Sequence, residues 1–290
     1  MSSGSSSLQV TAWHANRPSI GLAASRSQLM AALLVLASVN GLAPTAIKSV
    51  TIGGWDFAVL NTFNVSVIVW GAWASACYLA FLANDKNRIR PRDIILACII
   101  LAMVALPVPS LSWLSVSLLS AYIFWTSPKG SLQQRSAAIF FAICVPMLWG
   151  PALFALAAPP LLDIDAFLVS TLIGMKPSGN LVIFVDGIHS MQIWPACSSF
   201  HNISQAALAW VALSQTLGRD LGRKDVIWGG LAVSSAIAVN LARLSLMAVS
   251  PEYFDTIHVP LGAQIAGGLT IVLIAVICII GQRRELFAPA

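Results

Sequence analysis

The chain has 290 residues, of which 58% are hydrophobic and only 9% charged, and its mean hydropathy is +0.82. About a quarter of the residues in a soluble globular domain are charged, so this composition excludes an ordinary soluble protein and indicates one that crosses a membrane several times. The formal net charge is +5, but the Lys and Arg residues fall in short clusters between apolar runs. That distribution sets membrane topology, and we therefore expect no nucleic-acid partner.

The chain opens with a Ser- and Gly-rich segment, residues 1–28, that predicts a disordered cytoplasmic tail. The first apolar run, residues 29–47, is longer than the hydrophobic part of a usual signal peptide, which favours an uncleaved membrane anchor. Further apolar runs follow at residues 57–83, 94–106, 111–125, 137–158, 197–217, 226–249 and 261–281. Together the runs predict an all-α polytopic membrane protein with about eight transmembrane helices. The two shortest, 94–106 and 111–125, are either two thin spans or one re-entrant pair.

The basic residues predict the orientation of these spans, because Lys and Arg in short loops stay in the cytoplasm. Placing both termini in the cytoplasm puts most of the 16 Lys and Arg residues on that side. We expect the protein in the inner (cytoplasmic) membrane of a bacterium, surrounded by membrane lipids. The chain then divides into a membrane scaffold of five spans at 29–158, an extracytoplasmic loop at 159–195, a catalytic core of three spans at 196–282 and a cytoplasmic tail at 283–290.

The extracytoplasmic loop contains the pattern of a small β-hairpin. Two short apolar stretches, 181–185 and 188–194, flank the pair Asp186-Gly187, which favours a tight turn. A hairpin of two strands is marginally stable alone, so we expect it to pack on the helix ends. It delivers the chain to Cys197, at the start of the next apolar run.

Cys197 is the cysteine that we interpret as a nucleophile. A helix starting after Pro195 would place this thiol at the positive end of the helix, on the outer side of the membrane, which favours the reactive thiolate. No disulfide framework is predicted, because the remaining cysteines lie inside apolar runs and act as small hydrophobic residues: Cys77, Cys98, Cys144 and Cys278.

Two further residues are predicted to reach the same side of the membrane. Arg243 lies inside the 226–249 run, and a charged residue at that depth usually faces a partner or an aqueous cavity. Asn240, three residues earlier, shares a helical face with Arg243 and is expected to orient it. His258 lies in the short loop 250–259, where an imidazole could act as acid or base near neutral pH.

A thiol, a guanidinium and an imidazole supply what acyl transfer requires, namely a nucleophile, a donor for the oxyanion and a proton carrier. We expect neither a cofactor nor a catalytic metal for this set. His201, in the first turn of the predicted helix after Cys197, competes with His258 as the acid or base.

These residues also resemble a known family, the exosortase/archaeosortase family of membrane transpeptidases. The resemblance rests on the order Ala196-Cys197-Ser198, Asn240-x-x-Arg243, His258 and Gly262. It implies that Cys197 is acylated, that Arg243 stabilises the oxyanion or the thiolate, and that His258 is the acid or base. It also implies substrates that are exported proteins ending in a short motif such as Pro-Glu-Pro, one transmembrane helix and a basic tail, with water, an amine or a cell-surface glycan as acceptor. The family usually has Gly at the position of Ser199, which predicts a divergent branch with another tail motif.

Two other interpretations stay open at this point. Cys197, His201, His189 and His258 could form the zinc site of a membrane hydrolase, since Cys197 and His201 are four residues apart on one predicted helical face. A non-enzymatic transporter or scaffold would use Arg243 as a counter-charge for its substrate and would leave Cys197 without a role.

Overall fold

The computed structural model of the protein describes residues 25–83, 87–219, 222–258 and 260–286. It is mostly helical, as the composition predicts, with one small hairpin in the described part of the chain. The first half contains α1 (Arg26–Leu60), α2 (Val67–Leu82), α3 (Pro91–Ala105), α4 (Pro109–Thr126) and α5 (Leu132–Cys144). A π-helical segment (Val145–Trp149) joins α5 to α6 (Gly150–Leu172). The second half contains β1 (Leu181–Ile183), β2 (Ser190–Gln192), a 3₁₀ turn (Pro195–Cys197), α7 (Ser199–Thr216), α8 (Arg223–Met247), α9 (Pro251–His258) and α10 (Pro260–Leu286).

Four helical stretches of the described chain are long and apolar enough to cross a membrane. They are α1, the continuous stretch Leu132–Leu172, and the apolar parts of α8 and α10. Large apolar side chains such as Phe81, Leu156 and Val226 are exposed on the outer faces of the helices. Such surfaces are costly in water and suit contact with lipid, which agrees with a multi-pass membrane protein.

The main apolar core lies between α1, α2, α4, α5 and α7. Met30, Leu119 and Phe140 are fully buried there, and Leu208 brings α7 into the same cluster. Gly41 lets α1 approach α4 closely, because a Cβ at this position would lie 2.8 Å from the Trp113 ring. The helix that follows Cys197 is therefore held along its length by the scaffold of the first half.

A buried ion pair ties the start of α1 to α3 and α4, which corrects the predicted boundary of the N-terminal tail. Arg26 is only 3% exposed, and its Nε donates to both carboxylate oxygens of Asp93 at 3.1 and 3.2 Å. The Nη2 of Arg26 donates to the Thr126 hydroxyl at 2.6 Å. The Tyr122 hydroxyl donates to Oδ1 of Asp93, also at 2.6 Å. Ser25 caps α1 at this point. Residues 25–28 of the predicted tail therefore form the start of this helix. Residues 1–24 of that tail lie outside the described residues.

Two helices continue past the ends that the apolar runs predict. α1 extends beyond residue 47 to Leu60 with a kink at Gly54, whose φ of +77° favours glycine, so the run 57–83 is divided between α1 and α2. α10 continues to Leu286, so the predicted C-terminal tail begins inside the helix, and residues 287–290 lie outside the described residues.

α6 runs through Pro159 and Pro160 into the predicted extracytoplasmic loop 159–195. Ala157 has a non-helical φ of −134°, and the two prolines then stand at the start of a new helical segment. Proline is tolerated there because the N–H groups of a first helical turn have no intrahelical acceptor. The non-helical part of the loop therefore begins only after Leu172.

The predicted hairpin is confirmed, with strands shorter than the apolar stretches. β1 and β2 pair antiparallel, with Val182 opposite Met191. In the turn, hydrogen bonds from the backbone and ring of His189 and from the Ile188 N–H lower the pKa of the Asp186 carboxyl to about 2. The predicted packing on a helix end is also confirmed, since the Val185 N–H donates to the Ala248 carbonyl, just after α8, at 3.1 Å.

We predict that Arg26→Met lowers the free energy of unfolding by about 3–5 kcal/mol, because it leaves the Asp93 carboxylate buried without its ion-pair partner. Unfolding of the purified protein in detergent would measure the change. Arg88→Met, on an exposed site, is the control and should have no effect. The double variant Arg26→Met/Asp93→Leu should lose less than the sum of the two single variants, because the ion pair is lost only once. Equal stability of Arg26→Met and the natural chain would contradict the importance of the pair.

Candidate active site

Cys197 lies just before α7 and outside its first turn, which corrects the predicted helix start. The 3₁₀ turn that contains it is closed by a hydrogen bond from the Cys197 N–H to the Trp194 carbonyl at 2.8 Å. Ser198 is the N-cap of α7 and accepts from the Phe200 N–H at 3.2 Å. Serine is a preferred cap because its oxygen satisfies an N–H that lacks an intrahelical acceptor. The Cys197 thiol is half-buried and stands next to the helix N-terminus.

Asp165 of α6 fixes the start of α7, and the sequence reasoning missed it. Its Oδ2 accepts from the Ser198 hydroxyl at 2.8 Å and from the Ser199 N–H at 2.9 Å, and the residue is only 3% exposed. A carboxylate at this position is stabilised by the positive end of the α7 dipole. The available signal was helical spacing, because Leu162, Asp165 and Val169 recur on one face that is otherwise apolar.

Asn240 holds the Cys197 turn, rather than orienting Arg243 as predicted. Its side-chain amide donates to the Cys197 carbonyl at 2.9 Å and to the Ser199 hydroxyl at 3.1 Å. Asn240 is 4% exposed, so these bonds are buried and shielded from water. The Ser199 hydroxyl thus accepts a hydrogen bond that a glycine at this position could not accept.

Arg243 lies one helical turn after Asn240, about 4.5 Å further along α8. Its Nε is buried and has no hydrogen-bond partner in the described part of the chain. The residue lines a cavity of about 550 Å³ between α8, α9 and α10, and none of the described lining residues is acidic. A guanidinium N–H that is buried without an acceptor is costly, so this cavity suits a ligand with an oxygen acceptor.

His258 is the last residue of α9, a short helix that occupies the loop predicted at 250–259. Its exposed ring stacks on Phe254 at 4.8 Å, and Phe254 lies 5.9 Å from Phe184 beside the hairpin. Gly262 permits the tight passage into α10, since a Cβ there would collide with the Ile257 carbonyl oxygen. The hairpin and the α9–α10 corner together position the imidazole.

One apolar cluster brings the elements that carry these residues together. The cluster includes Leu244 of α8 and Val182 of the hairpin, and Cys197 and Phe254 of α9 pack against it. In the described part of the chain, no hydrogen bond or ion pair joins the side chains of Cys197, Arg243 and His258 directly. The structure therefore places the three on elements around a shared cluster, with Asn240 as the link between the thiol-bearing turn and α8.

The predicted zinc set is not assembled. Cys197 lies in the 3₁₀ turn before α7, so the expected spacing of four residues on one α-helical face with His201 does not form. His189 pairs with Asp186 at 2.6 Å, while His258 stacks on Phe254. Within the described ranges, no three His, Cys, Asp or Glu residues are grouped so that they could hold a metal ion.

Comparisons of the chain with protein-family models, with curated proteins and with solved structures found no match. The candidate site comprises a half-buried thiol, a guanidinium with an unpartnered nitrogen and an exposed imidazole. Buried hydrogen bonds with Asp165 of α6 and Asn240 of α8 hold the turn that carries the thiol. Such groups suit a reaction in which a thiolate attacks a carbonyl and negative charge develops on its oxygen.

We predict that Asp165→Ala lowers the free energy of unfolding by about 1–3 kcal/mol, because the Ser198 hydroxyl and the Ser199 N–H lose their buried acceptor. Asp165→Asn retains an acceptor oxygen and should lose less. Asp163→Ala, exposed on the same helix, is the matched control. The role of Asp165 would be refuted by an unfolding midpoint of Asp165→Ala that equals that of the control.

Proposed function

We propose that this protein is an integral membrane cysteine transpeptidase, which cleaves the C-terminal sorting signals of exported proteins through a thioester on Cys197. The observation that carries the proposal is the buried Asn240 amide, which holds the Cys197 turn one helical turn before the unpartnered Arg243. Nucleophile and cation are thereby fixed to one segment of α8. A merely structural cysteine in an apolar run would need neither this turn nor a nearby free guanidinium.

The first half-reaction follows from these groups. His258 takes the Cys197 proton, and the thiolate attacks the carbonyl carbon of the scissile amide. Arg243 donates to the oxyanion of the tetrahedral intermediate, a role for which its Nε is free in the described structure. The C–N bond then breaks, His258 returns the proton to the departing amine, and the acyl group stays on Cys197 as a thioester.

The substrate and setting of the proposal rest on the resemblance to exosortases and archaeosortases. In it, the chain crosses the inner membrane of a bacterium about eight times with both termini in the cytoplasm. The four candidate spans support the multi-pass part of this arrangement. The hairpin beside the end of α8 supports the placement of the 159–195 loop and the end of α8 on one side. Substrates would be exported proteins with a C-terminal motif, a transmembrane helix and a basic tail.

We predict that Cys197 is the thiol acylated by an activated ester such as the p-nitrophenyl ester of an N-acyl dipeptide. The purified protein should show a burst of one nitrophenolate per chain and an acyl adduct on Cys197 by mass spectrometry. Cys197→Ser should abolish both signals. Cys98→Ser removes the exposed cysteine of α3 and should retain them. A burst that survives Cys197→Ser would contradict the proposed nucleophile.

The substrate class is tested in cells that produce the natural chain or Cys197→Ala. We expect exported proteins with a C-terminal transmembrane helix and basic tail to be shortened only with the natural chain, as seen by mass spectrometry of protein C-termini. Identical C-termini in the two strains would refute the sorting function.

We predict that Arg243→Gln lowers the rate of Cys197 acylation by about 10²–10³, since removal of one oxyanion donor typically has that effect. Arg243→Lys keeps the charge and should retain part of the rate. Arg88→Gln, on an exposed site, serves as control. Stopped-flow measurement of the burst provides the rate, and an unchanged rate in Arg243→Gln would exclude Arg243 from the reaction.

A further inference from the structure

A second cavity borders the turn that carries Cys197. It measures about 500 Å³ and shares no lining residue with the cavity of Arg243. Pro195, which opens the 3₁₀ turn of Cys197, forms one wall, and Phe154 links the cavity to the apolar cluster on which Cys197 packs. Its other walls include Pro146, Gly150, Phe200, His201 and Ser204.

The far wall is built by the π-helical segment between α5 and α6. Such segments hold one residue more per turn than an α-helix and are frequent at functional sites. Pro146 from this segment lines the cavity, and Gly150 lets the π turn close on itself, because a Cβ there would lie 3.0 Å from the Val145 carbonyl oxygen. Phe154 and Phe200 meet edge to face at 5.3 Å and extend the ring surface.

The polar groups of the cavity are few and suit a neutral ligand. The ring of His201 is exposed, and the Ser204 hydroxyl donates to the His201 carbonyl at 2.7 Å, which leaves its lone pairs open to a donor. The described lining residues include no Asp, Glu, Lys or Arg. An ammonium group would lack a counter-charge here, whereas a hydroxyl could donate to His201 or Ser204.

We infer that this cavity is the acceptor site of the transpeptidation, that it takes a sugar-like or polyol acceptor, and that His201 is the base for its hydroxyl. The inference rests on the proposed function, because an acceptor site is needed only if Cys197 carries a thioester. Proline and aromatic rings offer flat apolar surfaces to the C–H faces of such a ligand. His258 then serves the first half-reaction and His201 the second.

The second half-reaction transfers the acyl group from Cys197 to the acceptor hydroxyl. The neutral His201 ring takes the hydroxyl proton, the acceptor oxygen attacks the thioester carbonyl, and an ester C–O bond forms. The C–S bond breaks and the electron pair leaves with the Cys197 sulfur. The proton on His201 returns to that thiolate directly or through solvent, which restores the free enzyme.

The test separates the two half-reactions with the acyl-enzyme formed from the p-nitrophenyl ester. Its decay is followed by mass spectrometry in buffer alone and with glycerol, methyl glucoside or ethanolamine. We expect glycerol and methyl glucoside to accelerate decay and to yield esters. His201→Gln should form the acyl-enzyme at the same rate as the natural chain. The rate of its acceptor-dependent decay should fall about 100-fold and should no longer rise with pH. Ser204→Leu, which fills the cavity, should lose the acceptor-dependent decay and keep the decay in buffer.

His189→Gln, on the exposed turn of the hairpin, is the matched control and should behave as the natural chain. The inference would be overturned if acceptor-dependent decay in His201→Gln were as fast as in the natural chain. It would also be overturned if ethanolamine formed an amide faster than the hydroxyl acceptors form esters. Neither result would refute the proposed function. Loss of acylation itself in His201→Gln would also overturn it, because His201 would then serve the first half-reaction or the fold. Absence of any acyl-enzyme on Cys197 in the natural chain would refute the proposed function instead.

Discussion

The buried hydrogen bonds at the start of α7 are the constraint on which the candidate site depends. Asp165 accepts from Ser198 and Ser199, while Asn240 donates to Cys197 and Ser199. One carboxylate and one amide thus hold the same short turn from two different helices. In a low-dielectric interior, such bonds are strong when complete and costly when one partner is missing. The position of the Cys197 backbone is therefore set by α6 and α8 together.

This constraint also explains why the predicted start of the helix after Cys197 differs by a few residues from the observed start. A proline followed by an apolar run suggests a helix starting just after Pro195, which would put Cys197 at its N-terminal end. Ser198 is a better cap than Pro195. With α7 starting at Ser199, Asp165 accepts from the Ser199 N–H and Asn240 donates to the Ser199 hydroxyl. The sequence identifies the residue types, but the exact cap depends on Asp165 and Asn240, which come from distant parts of the chain.

The features that sequence predicted well are those with strong local signals. Membrane class follows from composition, and the hairpin follows from an Asp-Gly turn between apolar stretches. Asp165 was hidden because two prolines suggested a loop, whereas the kink at Ala157 lets the helix resume after them. Arg26 was assigned to a free tail because its partner, Asp93, lies 67 residues away and no local pattern joins them. The cavities of Arg243 and His201 depend on the packing of several helices and have no signature in a single segment.

The π-helical segment has a consequence for the angular register of the chain. One additional residue in a helix rotates everything that follows by about 100° relative to an uninterrupted α-helix. The face of α6 that carries Asp165 is therefore set in part by the extra residue between α5 and the kink at Ala157. A family of chains that lacked this insertion would have to supply the carboxylate from a neighbouring position on α6. The π-helical residue thus rotates α6 so that Asp165 faces the turn of Cys197.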